Sequence, residues 1–371
     1  MRIGIPAEIY PGETRVAATP ETIKKLSAGG RHTVMVESGA GQHAAIPDTD
    51  FVAAGATLGS AADVYGQSEI ILKVRGPEPS ELPLLRRGVI LVGLLSPHQG
   101  VEPLAQAGIT GFAMELLPRI SRAQAMDVLS SQGNIAGYKA VILAANEYGR
   151  FMPMLMTAAG TVKAARVLIL GAGVAGLQAV ATAKRLGAVI EAFDVRPAVK
   201  EQVESLGAKF VEVALSEEEK RSAETSGGYA REMSDDYKQR QAALIAERAK
   251  AADIVITTAL IPGRPAPLLI PDDTLKGMKP GSVVVDLAVR QGGNCAGSVA
   301  DTLTIRHGVK ILAPSSLPGS VAADASALYA RNLLNFINLL TDPKTGELKL
   351  DRSDEIIAGT LVCVDGAAVR N

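Results

Sequence analysis

The stretch VLILGAGVAGLQAVATAKRLGAVIEAFD, residues 167–194, decides the fold. An apolar run, VLIL, feeds straight into the glycines Gly171, Gly173 and Gly176. A helix-forming segment follows, and then a second apolar run, VIEAF, ends on Asp194. Each glycine in a G-x-G-x-x-G turn has a mechanical reason. Gly171 permits the tight turn, Gly173 lets the backbone approach a pyrophosphate, and Gly176 lets the helix close on the strand. Val174 opens that helix, whose first N–H groups and positive dipole end favour phosphate. Asp194 lies 18 residues beyond Gly176, where the ribose hydroxyls of a dinucleotide would sit. A carboxylate there accepts hydrogen bonds from the 2′-OH and repels a 2′-phosphate, although Arg196 stands close by. The stretch therefore predicts a β-α-β unit that binds NAD(H) in preference to NADP(H).

Working outward, the same alternation of apolar run and helix occurs twice. Residues 2–8, 33–37, 69–74, 89–95 and 109–114 form a first series of short β-leaning runs, separated by segments such as TPETIKKLSAGG. VLIL, VIEAF, KFVEV, DIVIT, SVVVD and VKILA form a second series. Such alternation implies mainly parallel sheets covered by helices. The expected fold is α/β, with two Rossmann-like doubly wound domains joined by long helices at roughly 135–149 and 321–340. The tail reads LVCVDGAAV, where Asp365–Gly366 between apolar runs is a hairpin signal that needs a sheet to rest on. The tail is therefore expected to return to the first domain. This gives 1–134 plus 325–371 as one domain and 135–324 as the other.

Composition excludes several classes. With 38 basic and 39 acidic residues the formal net charge is −1, which favours neither nucleic acid nor an acidic membrane surface. Two cysteines and four scattered histidines suggest no metal site and no disulfide framework. The run between Arg166 and Lys184 has 17 uncharged residues but contains the glycine turn, and a spanning helix needs about 20 apolar residues. No signal peptide is evident in MRIGIPAEIY, so a cytoplasmic chain without direct membrane insertion is expected.

Two polar segments stand apart. In PRISRAQAMDVLSSQGNIAGYKAV, residues 118–141, Ser121 and Gln124 have capping-box spacing, a purely structural explanation for part of the polarity. On a helix, Gln124, Asp127 and Ser130–Ser131 would also share a face and could grip a carboxamide or a ribose. Residues 216–241 are highly charged and centre on Gly227–Gly228–Tyr229. They read either as a solvated insertion or as a mobile loop that closes over a ligand.

PGETRVAATPE, MELLPRISRAQAMDVLSSQ, MTAAGTVKAARVLILGAGVAGLQAVATAKRLGA, EQVESLGAKF, TTALIPGRPAP, MKPGSVVVDLAV, GGNC and VAADASALYARNLLNF together cover nearly the whole chain. On these stretches it resembles the NAD(H)-binding component, domain I, of the proton-translocating nicotinamide nucleotide transhydrogenases. The resemblance implies a homodimer with NAD(H) bound between its two domains. It also implies a membrane-spanning partner, which places the chain at the inner or plasma membrane, and a separate NADP(H)-binding partner. By the same resemblance, Arg119, Ile120, Ser121, Gln124, Asp127 and Ser130 lie around the nicotinamide and its ribose. Val174, Asp194, Val195 and Arg196 lie on the adenosine side. Gly228, Tyr229 and Gln241 belong to the mobile loop, and Thr258, Ala259 and Leu260 to the TTAL stretch.

A partner that brings a second nicotinamide explains why no acid–base centre is visible. Hydride passes from ring to ring without deprotonating an alcohol or amine, so no general base is required. The alternative is an NAD-dependent alanine dehydrogenase, a related family with the same two-domain plan. Arg15 and Lys73 match residues which that family uses on its substrate. Its catalytic His, however, corresponds to Ser96, with His98 displaced, and its Asp corresponds to Arg290. A non-catalytic NAD(H) sensor is a third reading, and the full set of nicotinamide-end residues argues against it.

Overall fold

The computed structural model describes residues 1–213, 235–261 and 264–369. The chain divides into two units, Met1–Gln132 with Pro318–Asn371, and Gly133–Leu317.

In the first unit the strands run, edge to edge, Thr57–Gly59, Thr33–Glu37, Arg2–Ile5, Ile70–Arg75, Ile90–Leu94, Thr110–Ala113, Leu361–Val364 and Ala367–Ala368. The first six pair in parallel and the last two are antiparallel. Strand order reverses where Arg2–Ile5 meets Ile70–Arg75. Alternate residues serve two cores: Ile70, Leu72, Ile90 and Val92 face one, whereas Ile71 and Leu91 face the other. Helices Pro20–Ser27 and Ala322–Leu340 cover the first face through Ile23, Leu26, Leu333 and Phe336. Helices Ala61–Gln67 and Glu102–Gln106 cover the second through Tyr65 and Leu104. The tail hairpin turns on Asp365 and Gly366, at φ 51° and 80°. Two left-handed residues in succession match the right-handed twist of the flanking strands.

In the second unit the order is Lys209–Val211, Val189–Phe193, Arg166–Leu170, Ile254–Thr257, Val283–Asp286, Val309–Leu312 and Leu303–Arg306, parallel except for the last. Register sets the level of the loops. Leu170 pairs with Phe193 and with Thr257, so the loops opening at Gly171, Asp194 and Thr258 leave the sheet together. Strand order reverses between Arg166–Leu170 and Ile254–Thr257, the place where open α/β sheets bind ligands. Residues of helix Val128–Glu147 beyond Gln132 bury Ala140, Val141 and Ala144 in this unit's core. Leu155–Thr157 and Gly160–Val162 form a separate two-stranded antiparallel sheet.

The last part of the segment expected as a loop is helical. Asp235–Ala251 is a helix, so residues 235–241 form its first turns. Asp235 and Asp236 open it and Arg248 and Lys250 close it, matching the helix dipole, while Tyr237, Ile245 and Ala249 are buried.

Candidate dinucleotide site

The three glycines of the turn are glycine for different reasons. Gly171 has φ 101°, and a Cβ there would lie 2.6 Å from the Thr258 hydroxyl. A Cβ on Gly176 would lie 1.8 Å from the Gly171 carbonyl oxygen, so the helix could not close on the turn. At Gly173 a Cβ would meet nothing within 4 Å and φ is −75°, so nothing internal to the fold requires glycine. Helix Val174–Arg185 starts there without a side-chain cap, leaving its first N–H groups to an outside acceptor. The position fits a pyrophosphate. A feature that periodicity alone misses braces the turn: a Cβ on Gly137 would come within 2.0 Å of the Ala175 carbonyl oxygen, and Gly133 faces Val174.

The Asp194 carboxylate is tucked behind this turn. Its Oδ2 accepts from the Ala172 N–H at 2.8 Å and its Oδ1 from the Arg196 N–H at 2.9 Å. The Arg196 guanidinium adds Nε to Oδ1 and Nη2 to Oδ2, both at 2.9 Å. These bonds to the carboxylate push the Arg196 pKa further up. Val195 packs against the neighbouring core. The Asp194 carboxylate is thus already paired within the chain.

Thr258 donates to the Gly171 carbonyl at 3.0 Å, which ties the TTAL stretch to the glycine turn. Ala259 is held from below by Asn294, whose Oδ1 accepts its N–H at 3.1 Å and whose Nδ2 donates to its carbonyl at 2.9 Å. Asn294 in turn donates its backbone N–H to Asp286, which also accepts from Cys295, Ala288, Thr257 and Ser298. Both Asp286 and Asn294 are fully buried. Sequence reasoning does not reach these two roles. The signal available was an acid and an amide among apolar and glycine residues. Leu260 remains exposed.

The 118–131 segment differs from the expected helix. Ser121–Met126 is a 3₁₀ turn with no side-chain cap, so Ser121 and Gln124 form no capping box. The α-helix begins at Val128. Its cap is Asp127, whose Oδ1 accepts the Ser130 N–H at 2.9 Å and whose Oδ2 accepts the Ser130 hydroxyl at 2.5 Å. Three residues per turn bury Ala123 and Met126 on one side. The Ala125 carbonyl is taken by Asn332 and Asn335 at 2.9 and 3.0 Å, which fixes the break. Asp127 and Ser130 are therefore together, while Gln124 lies in the preceding turn rather than on a shared α-helical face. Gln124 and Arg119 are exposed and Ile120 is half-buried.

The reversal point of the first sheet is filled by charge instead of glycine. Glu8 accepts the Val74 N–H at 2.6 Å, and Lys73 lies 2.6 Å from Glu81 and 3.6 Å from Glu8. Arg15 grips both oxygens of Glu13 at 2.6 Å and donates to Gln132 at 2.8 Å. Burial pushes the Glu8 carboxyl up to about 7, against the charge of Lys73. Burial also acts on Glu13, but the bonds and charge of Arg15, with Arg75, bring it down to about 2. Ser96 donates its N–H to Glu115 at 2.6 Å, and His98 is exposed on the turn Pro97–Gln99. Arg290 is exposed, and Asp301 is held below the usual carboxylate range chiefly by the hydroxyl and N–H of Ser315, with a smaller contribution from the charge of Arg290.

Gly228 and Tyr229 lie outside the described residues, and Gln241 is half-buried on helix Asp235–Ala251. Among the described residues no cluster of three or more His, Cys, Asp or Glu could hold a metal ion, and no helix is long and apolar enough to cross a membrane.

The alanine dehydrogenase/PNT N-terminal domain matches residues 4–136, and the C-terminal domain of the same family matches 140–371. The first part of NAD(P) transhydrogenase subunit alpha from Rhodospirillum rubrum is 52% identical over 378 residues, spanning 100% of this chain and 98% of its own. The crystal structure of a transhydrogenase from Sinorhizobium meliloti has a TM-score of 0.90 at 49% identity and covers 100% of both chains. The alanine dehydrogenase of Mycobacterium tuberculosis is 30% identical over 378 residues, spanning 99% of this chain and 94% of its own. The whole-length match lies much nearer the transhydrogenases than that dehydrogenase, and the chain belongs to the NAD(P) transhydrogenase alpha-subunit family of the alanine dehydrogenase/PNT group.

Proposed function

We propose that the chain is the NAD(H)-binding component of a proton-translocating transhydrogenase and exchanges hydride with NADP(H) held on a separate component. The observation that carries this reading is the glycine turn: Gly173 is open where Gly171 and Gly176 are closed by packing, and Asp194 stands beside it. Bound NAD(H) supplies the hydride-carrying ring. The N–H groups following Gly173, including that of Val174, bind the pyrophosphate, while Asp194 and Val195 hold the adenosine ribose beside Arg196, whose guanidinium is bonded to the Asp194 carboxylate. Thr258, Ala259 and Leu260 line the same loop level. Arg119, Ile120, Ser121, Gln124, Asp127 and Ser130 orient the nicotinamide end. Gly228, Tyr229 and Gln241 cover the nucleotide and exclude water.

No step in this reaction abstracts a proton from substrate, so these side chains act through position. Asp127 and Ser130, already bonded to each other, form a rigid pair for that purpose. Proton translocation belongs to a membrane-spanning partner and is linked to cofactor state by a change in conformation. That partner places this cytoplasmic chain at the membrane. The chain works as a homodimer, for which the exposed apolar residues of the 151–156 arm offer a surface.

The test uses NADH deuterated at C4, the full chain and an NADP(H)-binding transhydrogenase component. Deuterium is expected in NADPH, read by mass spectrometry, with none lost to water. Label that appears in solvent, or NADPH formation that needs no second component, refutes the reading.

A further inference from the structure

We infer that Arg196 is a built-in competitor for the ribose subsite and the residue through which the chain would accept a 2′-phosphate, held from that role by Asp194. The inference rests on the NAD(H) reading above and deepens it. An ionised carboxylate offers about four lone-pair positions. In Asp194 all are engaged, by the N–H groups of Ala172 and Arg196 and by Nε and Nη2 of Arg196. The two backbone donors are fixed by the fold. The two guanidinium donors are not, because the Arg196 side chain is 33% exposed against 6% for Asp194.

A ribose diol must donate to this carboxylate and finds no vacant acceptor. It can enter only by displacing the guanidinium. Arg196 precedes Pro197 and its backbone is extended, with φ −96° and ψ 112°. Displacement is therefore a change of side-chain rotamer and leaves the turn intact. The released guanidinium stays within a side chain's length of the 2′ position, and its fork geometry suits phosphate. While Asp194 is ionised, a 2′-phosphate meets a negative charge and a guanidinium already engaged by it. With a neutral side chain at position 194, the same guanidinium becomes the phosphate's partner. Nucleotide choice is thus a property of the pair, and either residue alone gives only half of it.

The test titrates NADH and NADPH against the full chain, its Arg196→Ala and Asp194→Asn variants and the double variant, by nicotinamide fluorescence. Asn keeps an acceptor for the Ala172 N–H. Arg196→Ala is expected to bind NADH more tightly, up to about fivefold, the scale of one partly exposed ion pair. Asp194→Asn is expected to gain about tenfold in NADPH affinity, and the double variant to lose that gain. Weaker NADH binding in Arg196→Ala overturns the inference, as does a gain in NADPH affinity that survives in the double variant. If Asp194→Asn does not fold, the sign of the Arg196→Ala effect on NADH decides alone. A wild-type chain that binds neither nucleotide overturns the cofactor reading, and the inference with it. Wild-type binding of NADH with weakening in Arg196→Ala overturns the inference only.

Discussion

At the scale of single residues, Gly173 and Gly176 separate what the fold needs from what the ligand needs. Gly176→Ala drives a Cβ to 1.8 Å from a backbone oxygen, so both melting temperature and NADH binding should fall sharply. Gly173→Ala meets nothing within 4 Å and costs about 1 kcal/mol or less as a poorer cap. Its melting temperature should stay within a few degrees of wild type, while NADH affinity drops by about tenfold or more because the methyl occupies the pyrophosphate's place. Calorimetric melting beside NADH titration checks the pair, and a Gly173→Ala chain with normal affinity would remove the turn from the site. Glu8 makes a different prediction. Its carboxyl stands at about 7 in the folded chain against 4.5 unfolded, chiefly through burial. The folded state therefore holds a proton that the unfolded state releases. The stability this proton gives is complete below pH 4.5 and is lost as pH rises through about 7. Such a shift is worth on the order of 3 kcal/mol. Glu8→Gln should erase that slope, so wild type should lose several degrees relative to it between pH 5 and 8. Parallel melting curves over that range would count against a protonated Glu8. The glycines were legible because turn, close approach and helix packing leave a fixed spacing. Glu8 was not, because a single acid in PAEIY carries no mark of the Val74 N–H and Lys73 that the fold brings to it.

At the scale of elements, what the sequence concealed is where helices begin. SRAQ has capping-box spacing, yet the helix starts six residues later on Asp127, because Asn332 and Asn335 of a distant helix claim the Ala125 carbonyl. Capping signals are local, and a competing contact from elsewhere in the chain leaves no trace beside them. Thr57–Gly59 was likewise unreadable: three residues with an exposed Thr and Leu have no periodicity to detect. The hairpin Leu155–Thr157/Gly160–Val162 carries a testable consequence. Phe151, Met154 and Met156 are 56%, 61% and 70% exposed. Covering a methionine is worth about 1.5–3 kcal/mol, and a two-fold interface counts each one twice. The wild-type chain should sediment as the proposed homodimer and Met154→Asp/Met156→Asp as a monomer by analytical ultracentrifugation, with NADH binding retained. A variant that sediments as a dimer would exclude the arm as the interface.

At the scale of the whole molecule, one architectural plan is used twice and its reversal points are filled in opposite ways. The alternation of strands and helices made both doubly wound sheets legible. The different contents of their reversal points were legible only in the second, where glycines announce them. In the first, Arg15 and Arg75 are set against Glu13 and Lys73 against Glu81, with Glu8 beside Lys73, so each cation already has a partner within the fold. This bears on the alanine dehydrogenase alternative. Binding an amino acid there needs a cation free to meet its carboxylate, and deamination needs a group to take a proton. Arg15 is spent on Glu13 and Gln132, and Lys73 on Glu81. Ser96, at the position of the catalytic histidine, has no basic nitrogen, and its backbone N–H is bonded to Glu115. His98, two residues on, is exposed on a 3₁₀ turn that starts from a left-handed Ser96 at φ 51°. The full chain should therefore show no L-alanine-dependent reduction of NAD⁺ above a no-enzyme control. His98→Ala should leave deuteride transfer to NADP⁺ within about twofold of wild type, since His98 is exposed and is none of the side chains proposed to hold the nucleotide. The decisive measurement is the two assays side by side on both proteins. Alanine turnover that vanishes in His98→Ala, with deuteride transfer absent, would assign the chain to deamination instead.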